Sequence, residues 1–479
     1  MNDETKFLEK YFDFYKTSGS SYELLDTKAN KKISVIKSKS LEELAFKGFN
    51  TLSFSFTKEH LENLISAFNS PDASLNDKYV LACLLQNAET SSKQILPLCQ
   101  DTGVANVFIW KKGSILFDNT ERNEYENLSN GIEKLYKEKK LRFSTTCPQS
   151  FYEEKDPKNN MPAQITIFEE NSCLAPKPDF IKNSPENSLN IIFCAKGGGS
   201  SNKTSFVQGT KAFLNKKKME EFLTDQISHL GTSACPPYTI AVVVGGLSPE
   251  QNLLTLKLAT CGAYNNMTYK ANSYGFRDKE LEETVKNIAK NTGFGAQFGG
   301  SEFCLDAIVI RLPRHGASCP LSTGVSCSAH RNLKAIMTNE GYYLEKTEIH
   351  PSSLSGFDKC VSILSQNNKD EKIINTNNGI EETLKQLENC KAGDRILLSG
   401  KILVARDAAH SRWQNLLDSG KDLPEYTKLY PICYAGPART PDGYIIGSFG
   451  PTTAGRMDSY ASSLMSRKAA LITLAKGNR

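Results

Sequence analysis

The stretch GTSACPPYTIAVVVGG, residues 231–246, sets the architecture of this chain. A turn rich in small residues and proline carries Cys235, runs into an unbroken apolar segment, and stops at Gly-Gly. Apolar runs of this length between turn signals are strands. The pattern recurs in VANVFIW (104–110), ITIFEE (165–170), LNIIFCA (189–195) and DAIVIRL (306–312). Between them, TDQISHLG (224–231) and LEETVKNIAKNTG (281–293) have helical spacing and end in glycine. Residues 1 to about 90 read as helical, with FLEKYFDFY, LEELAFKGFNTL and HLENLISAFNS repeating near 3.6. Residues 170–189 read as a solvated loop. The polar, Asn-rich stretch 351–378 reads as a linker, followed by the helix IEETLKQLENC and the strand RILLSGKILVAR. The expected organisation is therefore α/β throughout, with a unit over 1–350, a linker over 351–378 and a second α/β unit over 379–479.

With 479 residues, the chain is too long for one ordinary core. Lys and Arg outnumber Asp and Glu by 58 to 53, and no basic run is interleaved with aromatics, which excludes a nucleic-acid surface. No window approaches the ~20 apolar residues of a membrane span. The acidic, aromatic start MNDETKFLEKYFDFYK has neither a basic region before an apolar run nor the Arg-rich character of a transit peptide, so the cytoplasm is the expected location. Thirteen cysteines without C-x-x-C pairs argue against a disulfide framework. Cys83, Cys173, Cys194, Cys261, Cys304 and Cys360 read as small buried hydrophobes.

Chemistry concentrates in four places. PRHGASCPLSTGVSCSAHRN (313–332) sets His315, Cys319 and Cys327 in a backbone too rich in Gly, Ser and Pro to pack as a core element. PLCQDTG (97–103) and GTSACPP place Cys99 and Cys235 in similar turns. Three thiolates from distant loops, with Cys319 competing for the third place, suit an iron–sulfur cluster that leaves one iron open to substrate. AKGGGSSNKTS (195–205) is a turn whose backbone N–H groups can meet an anion, flanked by Lys196 and Lys203. VARDAAHSRW (404–413) ends a strand with Arg406, Asp407 and His410. GSFGPTTAGRMDSY (447–460) combines hydroxyls, a helix start and Arg456 in a carboxylate-binding pattern, and LAKGNR adds Lys476.

In order, CQDTG, KGGGS-NKT, GTSACPPY, GAQFGG, RLPRHGASCP, GVSCSA-RN, ARDAAH, AGPARTP-GY, GSFGPTTAGRMDSY and AKGNR resemble the class I, iron–sulfur-dependent fumarate hydratases and the related L-tartrate dehydratases, from about residue 45 to the last residue. The resemblance implies two α/β domains closing over an active site, a homodimer, and a 4Fe-4S cluster acting as Lewis acid in the reversible hydration of fumarate to (S)-malate. It implies Cys99, Cys235 and Cys327 as cluster ligands. It implies Gln100, Arg142, Gly199, Arg406, Arg456 and Lys476 around a small dicarboxylate. It gives Asp101 and Thr452 as the acid/base pair with His315 beside them. Thr239, Ser301, Leu305 and His330 depart from the pattern. The family's C-terminal domain also runs on past AKGNR, which leaves the clamp around Arg406, Arg456 and Lys476 shortened. The alternatives are a tartrate or mesaconate hydro-lyase, a catalytically impaired cluster-binding paralogue, and a zinc or structural protein using the same thiolates.

Overall fold

The computed structural model describes residues 3–16, 21–26, 31–268, 274–366, 371–392, 394–451, 455 and 457–476. Two large sheets dominate it. One runs Phe12–Lys16, Gly341–Glu345, Asn332–Met337, Ser188–Lys196, Val104–Lys112, Gln164–Glu169; the other runs Thr204–Thr210, Ser318–Ser326, Tyr238–Gly246, Cys304–Arg314, Phe276–Arg277. Each of the five apolar runs is a strand of one of them, central for four and at the edge for Gln164–Glu169.

Alternation along these strands builds the layers. In Val104–Lys112, Ala105, Val107 and Ile109 pack under the helices Ser40–Phe54 and Glu124–Glu138, while Phe108 and Trp110 face the second sheet. In Tyr238–Gly246, Ala241 and Val243 meet them from the other side, and Ile240, Val242 and Val244 pack under Lys216–Leu230 and Lys279–Asn291. The result is helices, sheet, a middle layer to which the helix Pro249–Ala259 contributes Leu256, Leu258 and Ala259, sheet, helices, with both faces of each sheet's central strands buried. This is why the strands read as continuous apolar runs.

Two elements depart from the expectation. FLEKYFDFY is helical only to Tyr11; Phe12–Lys16 is an edge strand paired with Gly341–Glu345, and Ser21–Asp26 and Lys31–Lys37 form a hairpin beside Ile115–Asp118. Phe12 enters the inter-sheet core and Tyr15 stacks on Tyr342, so tertiary pairing overrides the local period. The polar stretch after residue 350 holds a 3-10 turn and the helix Phe357–Gln366, whose Phe357 and Cys360 pack with the helices Lys58–Phe68 and Leu75–Ser91. Cys194, Cys261 and Cys360 are buried as expected, but Cys83 and Cys173 are exposed.

The C-terminal region is built differently. Its core is Ala405, Trp413, Leu423, Ile432, Tyr434, Met457, Leu464, Ala469 and Ala470, around three parallel strands of two residues each, Leu403–Val404, Ile432–Cys433 and Thr473–Leu474.

Candidate active site

The two sheets present their loops at a shared end. Val104 pairs with Lys196 and Asn332 with Cys194; Thr239 pairs with Ser326 in the other sheet. The segment before Val104 therefore lies with the one after Lys196, and the turn before Tyr238 with the one after Ser326. Residues 327–331 cross from one sheet to the other at this end. These segments carry Cys99, Gly197–Gly199, Cys235 and Cys327.

Cys99, Cys235 and Cys327 line one cavity of about 860 Å³, together with Gln100 and Lys476. The Cys235 turn is held by a bond from Cys235 N–H to Thr232 O at 3.1 Å, and Ser328 N–H donates to Cys235 O at 3.0 Å, tying two of the cysteine turns together. Cys235 takes φ +65°, the left-handed region non-glycine residues seldom enter. Lys476 Nζ donates to Cys235 Sγ at 2.6 Å. Burial pushes the Cys99 thiol up to about 12 despite the Arg331 cation beside it, and Cys327, Asp101 and Cys235 add to the rise. Cys319 lies fully buried at the start of Ser318–Ser326, at the other end of that strand from Cys327.

The glycine turn binds an anion, but the anion belongs to the protein. Gly198 N–H donates to Asp101 Oδ2 at 2.9 Å, and Gly103 N–H to Oδ1 at 3.2 Å. A Cβ on Gly197 would sit 2.9 Å from Asp101 Oδ2, so a side chain there would displace the carboxylate. Burial raises the Asp101 pKa, but Arg331, Arg142 and the two N–H donors outweigh it and hold the carboxyl below its ordinary range. Asp101 is thus ionised at neutral pH. Lys196 is buried beneath the turn, donating to Val325 O at 3.1 Å, and is spent on structure.

Gly436 gathers two guanidinium groups. Arg142 Nη1 donates to its carbonyl at 3.4 Å, and a Cβ there would meet Arg406 Nε at 3.0 Å. Arg406 also pairs with Asp407 at 3.3 Å, both partly exposed. Gly199 packs on the Cys235 turn, where a Cβ would lie 3.2 Å from Ser233 O. Ser448 Oγ donates to Pro97 O at 2.9 Å and Gly450 abuts the Gln100 amide, which brings the C-terminal loops over Cys99. Thr452 and Arg456 lie outside the described residues.

His315 is not brought to this cavity within the chain. It stands exposed on the turn between Cys304–Arg314 and Ser318–Ser326, next to Gly246 at the far end of the sheet, where Ala317 N–H donates to its Nδ1. At about 3.3 Å per residue, the nine-residue strand separates that turn from Cys327 by roughly 30 Å. The departures from the family pattern also fall away from the cavity. Thr239, Leu305 and His330 line a separate cavity of about 40 Å³ beside His60, and Ser301 caps Asp77 through its N–H at 3.0 Å.

Sequence reasoning left Arg331 and Tyr136 without roles. Tyr136 Oη donates to Gly103 O at 2.8 Å and braces the Asp101 turn from the helix Glu124–Glu138. Nothing in its local sequence marks it. Arg331 carried a signal, a lone charge four residues after Cys327 in a run of small residues.

Comparison with known proteins places the chain in a family. The family described as Fumarate hydratase (Fumerase) matches residues 42–336, and the one described as Fumarase C-terminus matches 342–479. The chain is 43% identical to the anaerobic class I fumarate hydratase of Escherichia coli (strain K12) over 447 residues, 93% of this chain and 78% of that protein. It is 41% identical to fumarate hydratase 2 of Leishmania major over 446 residues, 93% of this chain and 75% of that protein. A protein of Methanocaldococcus jannaschii described as an L(+)-tartrate dehydratase subunit alpha is 25% identical over 284 residues, 58% of this chain and 90% of that protein. The chain belongs to the class I fumarate hydratase family.

Proposed function

We propose that this chain is a hydro-lyase that interconverts fumarate and (S)-malate in the cavity at the shared sheet end. The observation that carries this reading is the meeting of Cys99, Cys235 and Cys327, from three distant segments, in one cavity with Gln100 and Lys476. The donor set fits a 4Fe-4S cluster. Iron–sulfur clusters take thiolate ligands, and three side chains ringing a cavity suit a body wider than one ion. Cys99, Cys235 and Cys327 would hold the cluster, which when bound supplies a Lewis acid for the hydroxyl group exchanged in the reaction.

The chain's own residues do the rest. Asp101, ionised and fixed by two N–H donors, is prepared to accept the proton of the water that adds to fumarate; in the reverse direction it returns that proton to the departing hydroxyl. Thr452 is its proposed partner at carbon. Addition at one carbon throws negative charge onto the far carboxylate, and Arg142 and Arg406, joined at Gly436, offer positive charge for it together with Arg456. Gln100, the Gly199 backbone and Lys476 would orient the near end. The departures at Thr239, Leu305 and His330 lie in another cavity, which favours an active enzyme over an impaired paralogue.

Anaerobic reconstitution with iron and sulfide, followed by a fumarate hydration assay, tests the reading. Turnover of fumarate is expected, and turnover of L-tartrate or mesaconate in its place would change the substrate. We also infer a homodimer: His315 can act at a cavity only if a second copy carries it there. Sedimentation should show a dimer, and a monomer that is fully active would remove His315 from the site. Among the described residues no helix is long and apolar enough to cross a membrane; the cytoplasm is our proposed location.

A further inference from the structure

One charged group at the sheet end has no role in the chemistry above. Arg331 lies on the crossing between Ser318–Ser326 and Asn332–Met337, with its carbonyl fixed by Ala195 N–H at 3.0 Å. It is 4% exposed, and its Nε and Nη1 are buried without a hydrogen-bond partner. A buried cation with unused donors is strongly unfavourable unless negative charge faces it. The groups that stabilise its charge against burial are Cys99, Cys327, Asp101 and Tyr136, in that order. Two of the proposed cluster ligands thus head the set. Arg331 does not line the cavity, so it is placed to act through those neighbours and not on a substrate.

We propose that Arg331 is a positioning residue, a resident buried cation whose orphaned donors and charge offset the negative charge of a cluster held by Cys99 and Cys327. The proposal rests on the reading that these cysteines hold the cluster. Three thiolates in a low-dielectric pocket repel one another, and a fixed guanidinium beside two of them relieves that repulsion. Its planar fork can also donate to more than one acceptor at once, which an ammonium cannot do in the same geometry. A cation fixed beside an anionic cluster also disfavours loss of an electron, so Arg331 should protect the centre against oxidation.

The test uses the full chain reconstituted anaerobically as wild type, R331M, R331Q and R331K, with folding checked by circular dichroism. The readouts are iron and sulfide per chain, the midpoint potential, and the rate of bleaching in air. R331M and R331Q should bind iron about tenfold or more weakly, as loss of a group supporting metal ligands typically does. Both should show a lowered potential and bleach faster, and R331K should recover most of the potential. Should R331M fail to fold, R331Q and R331K decide the matter, because only one of them keeps the charge. Equal potentials and iron contents in those two would overturn the proposal. Wild type without iron and sulfide would remove it together with the reading of the cysteines, and is recognised because the unmutated chain itself fails.

Discussion

The two sides of the cavity are made in different ways. On the N-terminal side, Cys99, Asp101, Cys235 and Cys327 sit on turns at the ends of strands buried on both faces, and backbone bonds tie the turns to one another. On the C-terminal side, Arg406 and Lys476 extend from a small core whose sheet has three strands of two residues. A group that must bind several ligands at fixed separations needs the first kind of scaffold. A clamp that admits and releases a small diacid can be built on the second. The division predicts that N-terminal substitutions change what the protein holds, while C-terminal ones change how well it binds substrate.

The largest effect should come from the ligands. Cys235→Ser is expected to lose iron and sulfide and to bring fumarate hydration to background, measured by metal analysis and activity on the same sample. Asp101→Asn should keep the iron and lower kcat by roughly 10²- to 10⁴-fold, the range of a general acid–base group; a parallel loss of iron would give Asp101 a structural role instead. Arg406→Met, on the other side, should lower kcat/KM by about thirtyfold, about 2 kcal/mol for one charged hydrogen bond, with iron content unchanged.

The last effect, on stability and not on activity, concerns the wall behind Cys327. His60 is buried, its Nε2 3.0 Å from Ser328 O, and it stacks on His330. Burial lowers its pKa to about 4, against the partial opposition of that bond. A histidine kept neutral in the fold takes up a proton on unfolding below pH 6.5. Its contribution is therefore present above that pH and is lost as pH falls toward 4. The unfolding free energy from denaturant titration should drop by about 2 kcal/mol for this group between pH 7.5 and 5. His60→Gln should reduce the slope and leave the part carried by His330, which burial also keeps neutral; an unchanged slope would detach the effect from His60.

Much of the N-terminal side was legible because its strands are buried on both faces, so burial wrote itself into Val104–Lys112 and Tyr238–Gly246 as continuous apolar runs. The cysteine turns were legible for the opposite reason, since their residues make poor core. What escaped depended on contacts distant in sequence. Phe12–Lys16 is a strand only because Gly341–Glu345 offers an edge. The glycines 197–199 read as an anion site, and only the fold shows that the anion is Asp101. His315 shares a segment with Cys327 but stands at the other end of a strand, because a strand carries its two ends apart where a loop would keep them together. Arg331 was visible as a residue, but its orphaned donors become evident only once both sheets are in place.

The central claim is that Cys99, Cys235 and Cys327 act as one donor set, with Cys319 outside it. Iron and acid-labile sulfide should be quantified after anaerobic reconstitution of wild type and of the four single Cys→Ser variants. The account predicts iron and sulfide in equal amounts in wild type and in Cys319→Ser, and near-complete loss of both in the other three. Retention of the full complement by Cys99→Ser, Cys235→Ser or Cys327→Ser, or its loss from Cys319→Ser alone, would contradict it.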